Sequence, residues 1–533
     1  MKLTKLSIAI LSLTLFFTAC TKKDNSLKHL PQSANAVFTF IPSQLQAKSG
    51  IKNIAETKVY KSFVDNMTSE ESESFSKFNY IFNDSQESGI DLNKNVFFFK
   101  NSQHNNYNQN IGVNFQLTDS KKFQKLIEKI IENKKDSVEI IEENGIYFLM
   151  KKKKGSKHIL AWNSETAIAI NQTKGRSHNK YLKEFSANLI NQKIGNSLAS
   201  NDDFLEFFAQ RKDISLWIGS NFLENQIPNQ YKTIVQMQSP IKLKGIGYHF
   251  YTDFQDGKAV MESELILPDD LKSLIKEYKI VKDNFDERML EIIPKNSLFN
   301  LSFAINPYEF YRMIKKLYAE RQIDTKGMEQ MLESTTNIKL EKVLKAFSGE
   351  VIINVHDVKL VMVDNKYDTT ANPSSHSKTK FMYSVAVKLD DKDVYKWALN
   401  LFDDNEIEMT DGYYTISDND GINYLAMVNN YILLTNDKDI ITNFTSNKKL
   451  KPSLADSDIG KHLKKYPIYA RINMDYSSYS PDIRNLLDTT YNDKFNVKTK
   501  LSEMRYEPEN SYKAAVTFEF MNKKTNSLKQ ILN

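Results

Sequence analysis

The segment Pro31–Pro42 (PQSANAVFTFIP) is echoed about 265 residues later by Pro294–Pro307 (PKNSLFNLSFAINP). Each reads as a turn, a strand of alternating residues and a proline that opens a helix. Further matches follow in the same order. Val96–Phe99 corresponds to Val351–Ile353, and each is followed by a polar loop (Asn101–Asn110; Asp364–Lys380) and a returning strand (Ile111–Leu117; Met382–Leu389). After Asp119, apolar residues fall at Phe123, Leu126, Ile127, Ile130 and Ile131. After Asp390 they fall at Val394, Trp397, Ala398, Leu401 and Phe402. Both series run i, i+3, i+4, i+7, i+8, one buried helix face behind an acidic start. Beyond them, Asn144-Gly145 and Asp411-Gly412 each join two strands by a tight turn. Ile214–Ile218 parallels Ile468–Ile472, and the hairpin Gly247–Leu265 parallels Met504–Phe520. A period this long is not a solenoid repeat, so the pattern predicts a tandem duplication of a whole domain.

We therefore expect repeat domains at 29–267 and 290–525, joined by a charged helical linker at 268–289 in which Leu271, Leu274 and Ile275 share one face. At 533 residues, two domains is also the prior from size. Strands joined by Asx-Gly turns cannot be parallel neighbours, which need a long crossover. The fold class read from this order is α+β: in each copy, an antiparallel sheet covered by helices on one face. Strands such as Val37–Ile41 and Ile111–Leu117 alternate apolar and polar residues, which predicts that the other face is wet. Asp364–Lys380, rich in Ser, Thr, Asn and Lys, reads as the best candidate for local disorder.

Cys20 is the single cysteine. Lys2 and Lys5 precede an apolar run, Leu6–Phe17, and then Thr18-Ala19-Cys20. That order gives residues 1–19 as a lipoprotein signal peptide, since a run of about a dozen apolar residues is too short to span a bilayer. Phe17–Cys20 is similar to a lipobox, so Cys20 is the expected lipidation site, carrying palmitate-type acyl chains, and residues 20–28 form a polar tether. Thr21 after the cysteine favours the outer membrane, on either its periplasmic or its cell-surface side. Acylation of Cys20 leaves no thiol, which excludes disulfides, cysteine metal sites and cysteine nucleophiles.

A net charge of +6 over a body this size leaves no footprint for nucleic acid, and it falls further when Lys2 and Lys5 leave with the signal. Lys151–Lys154 reads as a hairpin tip. The eight histidines (His29, His104, His158, His178, His249, His356, His376 and His462) show no spacing that would place two metal ligands on one helix face. His104 and His376 fall in equivalent loops, where exposed histidines are the plain reading. Asp418–Gly421 begins like a calcium loop, but its twelfth position is Asn429, not glutamate, so we read a hairpin turn. Trp162 and Trp217 lie in strands and read as core. Ser137, Thr369 and Thr489 follow aspartate in a pattern resembling O-glycosylation acceptors. No phosphate loop, dinucleotide fingerprint or serine elbow is present. The sequence thus assigns no catalytic residue, cofactor or metal.

The lipobox, the opening His29–Val37 (His-Leu-Pro-x-Ser-Ala-x-Ala-Val) and the Pro294–Pro307 echo resemble the Bacteroidetes lipoproteins grouped as domain of unknown function number 4836. The resemblance covers nearly the whole mature chain and implies location and architecture, with no activity to carry over. The functional expectation is a lipid-anchored cell-envelope protein, a non-catalytic binding or scaffold protein for an envelope protein or polymer. The alternatives are an envelope hydrolase or transferase acting on glycan or peptide, and an outer-membrane assembly or chaperone factor that adds a client strand to a sheet edge.

Overall fold

The computed structural model describes residues 25–51, 85–103, 108–132, 137–152, 155–175, 179–220, 245–282, 285–320, 326–364, 375–400, 407–418, 421–481, 500–510 and 512–532, with a few isolated positions between them. Cys20 and the signal segment lie outside the described residues, as do His104, His178, Thr369, Thr489, Leu401 and Phe402. The chain divides into two compact units, Met1–Asn225 and Gln226–Asn533. Among the described residues no helix is long and apolar enough to cross a membrane.

In the first unit the strands are β1 (Ala34–Phe40), β2 (Val96–Gln103), β3 (Asn108–Gln116), β4 (Val138–Glu143), β5 (Ile146–Lys151), β6 (His158–Trp162), β7 (Thr166–Lys174) and β8 (Ile214–Ile218). Their order is β8-β1-β2-β3-β7-β6-β5-β4, antiparallel throughout. Asn144-Gly145 turns β4 into β5 with φ of 53° and 75°, the double positive that a two-residue primed turn requires. Phe99 lies over Gly112, its cross-strand partner. A Cβ on Gly112 would stand 2.1 Å from the Phe99 ring, so only glycine fits this interior strand position.

The second unit holds β9 (Gly247–Gln255), β10 (Lys258–Ile266), β11 (Phe299–Ala304), β12 (Phe347–Asp364), β13 (Ser375–Leu389), β14 (Ile407–Thr410), β15 (Tyr413–Asp418), β16 (Gly421–Val428), β17 (Tyr431–Thr435), β18 (Ile468–Asn473), β19 (Leu501–Pro508) and β20 (Lys513–Phe520). The order β18-β11-β12-β13-β17-β16-β15-β14 extends from β18 through β19 and β20 to β10 and β9. Asp411-Gly412 makes the same primed turn, with φ of 53° and 83°. The α+β reading therefore holds at the level of mixed helices and antiparallel sheet. The hairpin β9–β10 belongs to the second unit, where β10 pairs with β20.

Helices pack on both faces, where the sequence had suggested one. In the first unit α1 (Ser120–Ile130) is capped by Asp119, whose carboxylate accepts from the Lys121 and Lys122 amides. Phe123, Leu126 and Ile127 are buried against Trp162 and Ala167, while Ile130 and Ile131, at the end of the helix, are only half-buried. On the opposite face lies α2 (Asn179–Asn191), which buries Leu182, Phe185, Leu189 and Ile190. In the second unit α3 (Lys392–Leu399) is capped by Asp391. It buries Val394 and Leu399 and leaves Trp397 half-buried, its indole N–H donating to the Thr336 carbonyl. The opposite face carries α4 (Lys438–Thr445) and α5 (Asp458–Leu463), packed on Ile352, Ala386 and Leu433. The seam forms the helix Asp269–Tyr278, whose Leu274 packs with Met313.

The expected polar loops are shorter than the sequence suggested. Asn101 and Asn110 are strand partners, and Ser375–Lys380 belongs to β13, paired back onto β12. Residues 104–107 and 365–374 lie outside the described residues.

Candidate functional site

In β3 the alternation is real but opposite in sense to the expected one, while in β1 and β2 the covered face mixes polar residues with Val37, Phe97 and Phe99, which are equally buried. Asn35, Thr39, Asn101 and Asn114, the polar members, are fully buried on the face covered by α2. Phe38, Phe40 and Ile111, the apolar members, face away.

On the covered face the amides form a row. Asn101 pairs in register with Asn110, and Asn110 with Gln172, while Asn35 sits beside them at a bulge in β1. Asn101 donates to the Ser33 hydroxyl, Asn35 to the Ser102 hydroxyl, and Asn110 to the Tyr181 hydroxyl on α2. In the second unit Asn300, Asn354, Ser384 and Thr435 occupy the corresponding places across β11, β12, β13 and β17, all with no exposed surface. Burying an amide without a partner is costly, and a one-residue slip would send every member to the wrong face. Such rows fix strand register. The row in the first unit contains no ionisable group and so offers no acid or base.

The row in the second unit runs on to charged residues. Arg471 is the register partner of Asn300, and Arg505 that of Arg471. Arg471 donates to Glu503 at 2.5 Å; Arg505 contacts Glu503 at 3.1 Å and Glu519 at 2.6 Å. Glu503 and Glu519 are cross-strand partners, two carboxylates brought together by the register. Burial pushes the Glu519 carboxyl up, but Lys523 and Arg505 outweigh it and hold Glu519 below the usual carboxylate range. A general acid needs the opposite shift. This pair is an ion ladder.

The opposite face, which the described residues leave uncovered outside one corner, is where the units stand out. In the first unit five adjacent strands present Ile218, Leu216 and Ile214 (β8), Ala36, Phe38 and Phe40 (β1), Lys100, Phe98 and Val96 (β2), Ile111, Val113 and Phe115 (β3), and Asn171, Ala169 and Ala167 (β7). α1 covers the Phe115–Ala167 corner. Away from that corner Phe98 is 38% and Ile111 44% exposed. Phe38, Phe40 and Phe98 stack on one another, with centroids 5.7–6.2 Å apart. In the second unit the corresponding face is Phe299, Leu301 and Phe303 between Ile472, Ala470 and Ile468 on one side and Val355, Ile353 and Val351 on the other, all half-buried. Among the apolar positions of the two faces Phe98 and Ile111 are exposed, and the others are half-buried or buried.

The remaining candidates fall elsewhere. Trp162 and Trp217 are core, the latter donating to Asp203 at 2.7 Å. Asp418 pairs with Gly421 in the β15–β16 hairpin, with Asn419 and Asp420 outside the described residues. Lys151 ends β5, His158 and Ser137 are exposed, and His376 lies in β13. Among the described residues no cluster of His, Cys, Asp or Glu could hold a metal ion. His462 sits 3.1 Å from Glu507, His356 3.4 Å from Asp437, and His249 3.9 Å from Glu264, each one histidine with one acid.

His29 is the histidine with a measurable consequence. It is buried, with Nδ1 3.0 Å from the Leu189 carbonyl. Burial pushes its pKa down to about 4, against the pull of that carbonyl. Below pH 6.5 the unfolded chain takes up a proton that the native state refuses, so stability falls as pH drops towards 4. We expect His29 to account for a loss of about 2–3 kcal/mol between pH 7 and pH 4.5. Urea midpoints of wild type and His29→Gln measure it. Equal pH dependence in the two proteins would contradict it.

The family model described as "Domain of unknown function (DUF4836)" matches residues 28–528. The chain belongs to the DUF4836 family. Comparison with curated proteins finds no match. Among solved structures, crystal forms III and I of TP0453 are similar at 10% identity, with TM-scores of 0.26 and 0.27; each match covers 49% of this chain and 88% of that one. A likeness this remote carries no argument. Membership of the DUF4836 family brings no activity with it.

Proposed function

We propose that the protein is a cell-envelope lipoprotein of the Bacteroidetes type, held at the outer membrane through acylated Cys20, that binds an apolar partner on its uncovered sheet faces and performs no chemistry. The observation that carries the binding reading is the apolar grid centred on Phe38 and Phe98. A free surface of that character is costly in water unless something covers it. The lipobox around Cys20 supports the anchor.

The same proposal takes the chain as a tandem duplication. Its support is the strand order shared by the two units, the two primed turns at equivalent places, and the amide row in which Asn300 and Asn354 answer Asn35 and Asn101. A photo-reactive benzoylphenylalanine in place of Phe98, irradiated in cells, is expected to give a mass-shifted adduct, whereas the same group at Met331, 72% exposed on a helix, gives none. Absence of an adduct at position 98 would remove the binding reading.

A second reading rests on β12 and β13. Past Val355 and Tyr383 they pair only with each other among the described residues, out to Asp364 and Ser375. A two-stranded ribbon with open edges suits the addition of a client strand.

A further inference from the structure

We propose that the uncovered face of the first unit's sheet takes the acyl chain of a long-chain fatty acid, with the carboxylate on Lys100. This rests on the binding reading above and names its ligand class. Of the grid positions on β8, β1, β2, β3 and β7, Lys100 is the only charged one and Asn171 the only other polar one. Lys100 stands between Ala36 and Ile111 in register, two residues along β2 from Phe98. Among the described residues no carboxylate pairs with it. Its ammonium lies 5.4 Å from the Phe222 ring, a contact that offsets only part of the cost of holding a charge beside apolar surface.

The count of groups selects the ligand. A protein partner needs a rim of several paired polar contacts around its apolar centre. On this face the polar groups gather at one end, where Asn171 and, next along β3 and β7, Gln109 and Thr173 lie near one cation, and the rest is an apolar field five strands across, roughly 20 Å wide. One anion on a long apolar tail matches it. In the second unit, at the place that the amide rows equate with Lys100, β12 carries Ile353 instead, so that place offers no cation to a charged headgroup.

The test uses the intact chain carrying Cys20→Ser, free of its own acyl groups, titrated calorimetrically with palmitate and with hexadecanol. Palmitate is expected to bind saturably at one Lys100-dependent site per chain. Lys100→Met, which keeps the length of the side chain, should weaken palmitate about tenfold, as loss of a charge-assisted contact does, and leave hexadecanol unchanged. Phe98→Glu should abolish palmitate binding and the first unit's share of hexadecanol binding while leaving the melting temperature in place. Equal binding of the two ligands, indifferent to Lys100→Met, would overturn the fatty-acid assignment and leave the apolar-binding reading standing. Binding of neither removes both. A dimer in light scattering that Phe98→Glu dissociates would give the face to a second copy and overturn the proposal.

Discussion

Cys20→Ser is expected to abolish lipid-mediated membrane attachment, leaving the protein unprocessed or soluble. The anchor proposal makes the thiol of Cys20 the point of acylation, and serine offers no thioether linkage. One acyl chain gives marginal, reversible membrane binding and two or more give stable attachment, so loss of the acylated residue is an all-or-none change in partition. Fractionation of cells expressing either form measures it. The wild type should pellet with membranes and resist high salt, whereas the variant should accumulate unprocessed or in the soluble fraction. A mature-sized Cys20→Ser protein that still pellets would contradict the lipid anchor. Protease treatment of intact cells then separates the surface face from the periplasmic one.

The second large effect is on stability. Phe123 is 1% exposed, with ring contacts at 5.7 Å to both Phe115 and Trp162, and its helix has no other large aromatic. Phe123→Ala should cost about 3–5 kcal/mol, the lost transfer energy plus that of a cavity that α1 cannot close by sliding along a sheet. For a unit of this size that is a fall of roughly 10 °C in melting temperature. Tryptophan fluorescence reports it directly, because Trp162 lines the same cluster. A change below about 1 kcal/mol would mean that α1 does not hold the β3–β7–β6 end of the sheet.

Much of this architecture was legible because local rules dominate where they were read. Asn144-Gly145 and Asp411-Gly412 announce primed turns whatever surrounds them, and Asp119 caps its helix by its own carboxylate. The faces were not legible. Alternation tells which residues share a side, since Phe38 and Phe40 must point together and away from Thr39. It cannot tell which side the helices will cover. Asn101 and Asn110 looked like loop residues because asparagine favours turns; in the fold they are buried partners whose cost is offset by Ser33 and Tyr181, distant in sequence. Lys100 gave no local signal at all. Only its register beside Ala36 and Ile111 shows that it is the one cation on an apolar field.

The central claim is that the uncovered sheet face is a working surface, and fluorescence of the neutral apolar dye Nile red tests it most directly. The Cys20→Ser protein should enhance the dye saturably at room temperature, well below its melting transition. Phe98→Glu should remove the part of that signal due to the first unit, whereas Met331→Glu, equally non-conservative at a more exposed position, should leave it intact. Loss on Phe98→Glu alone is the predicted result. Equal enhancement in all three proteins, or none in the parent, would contradict the account.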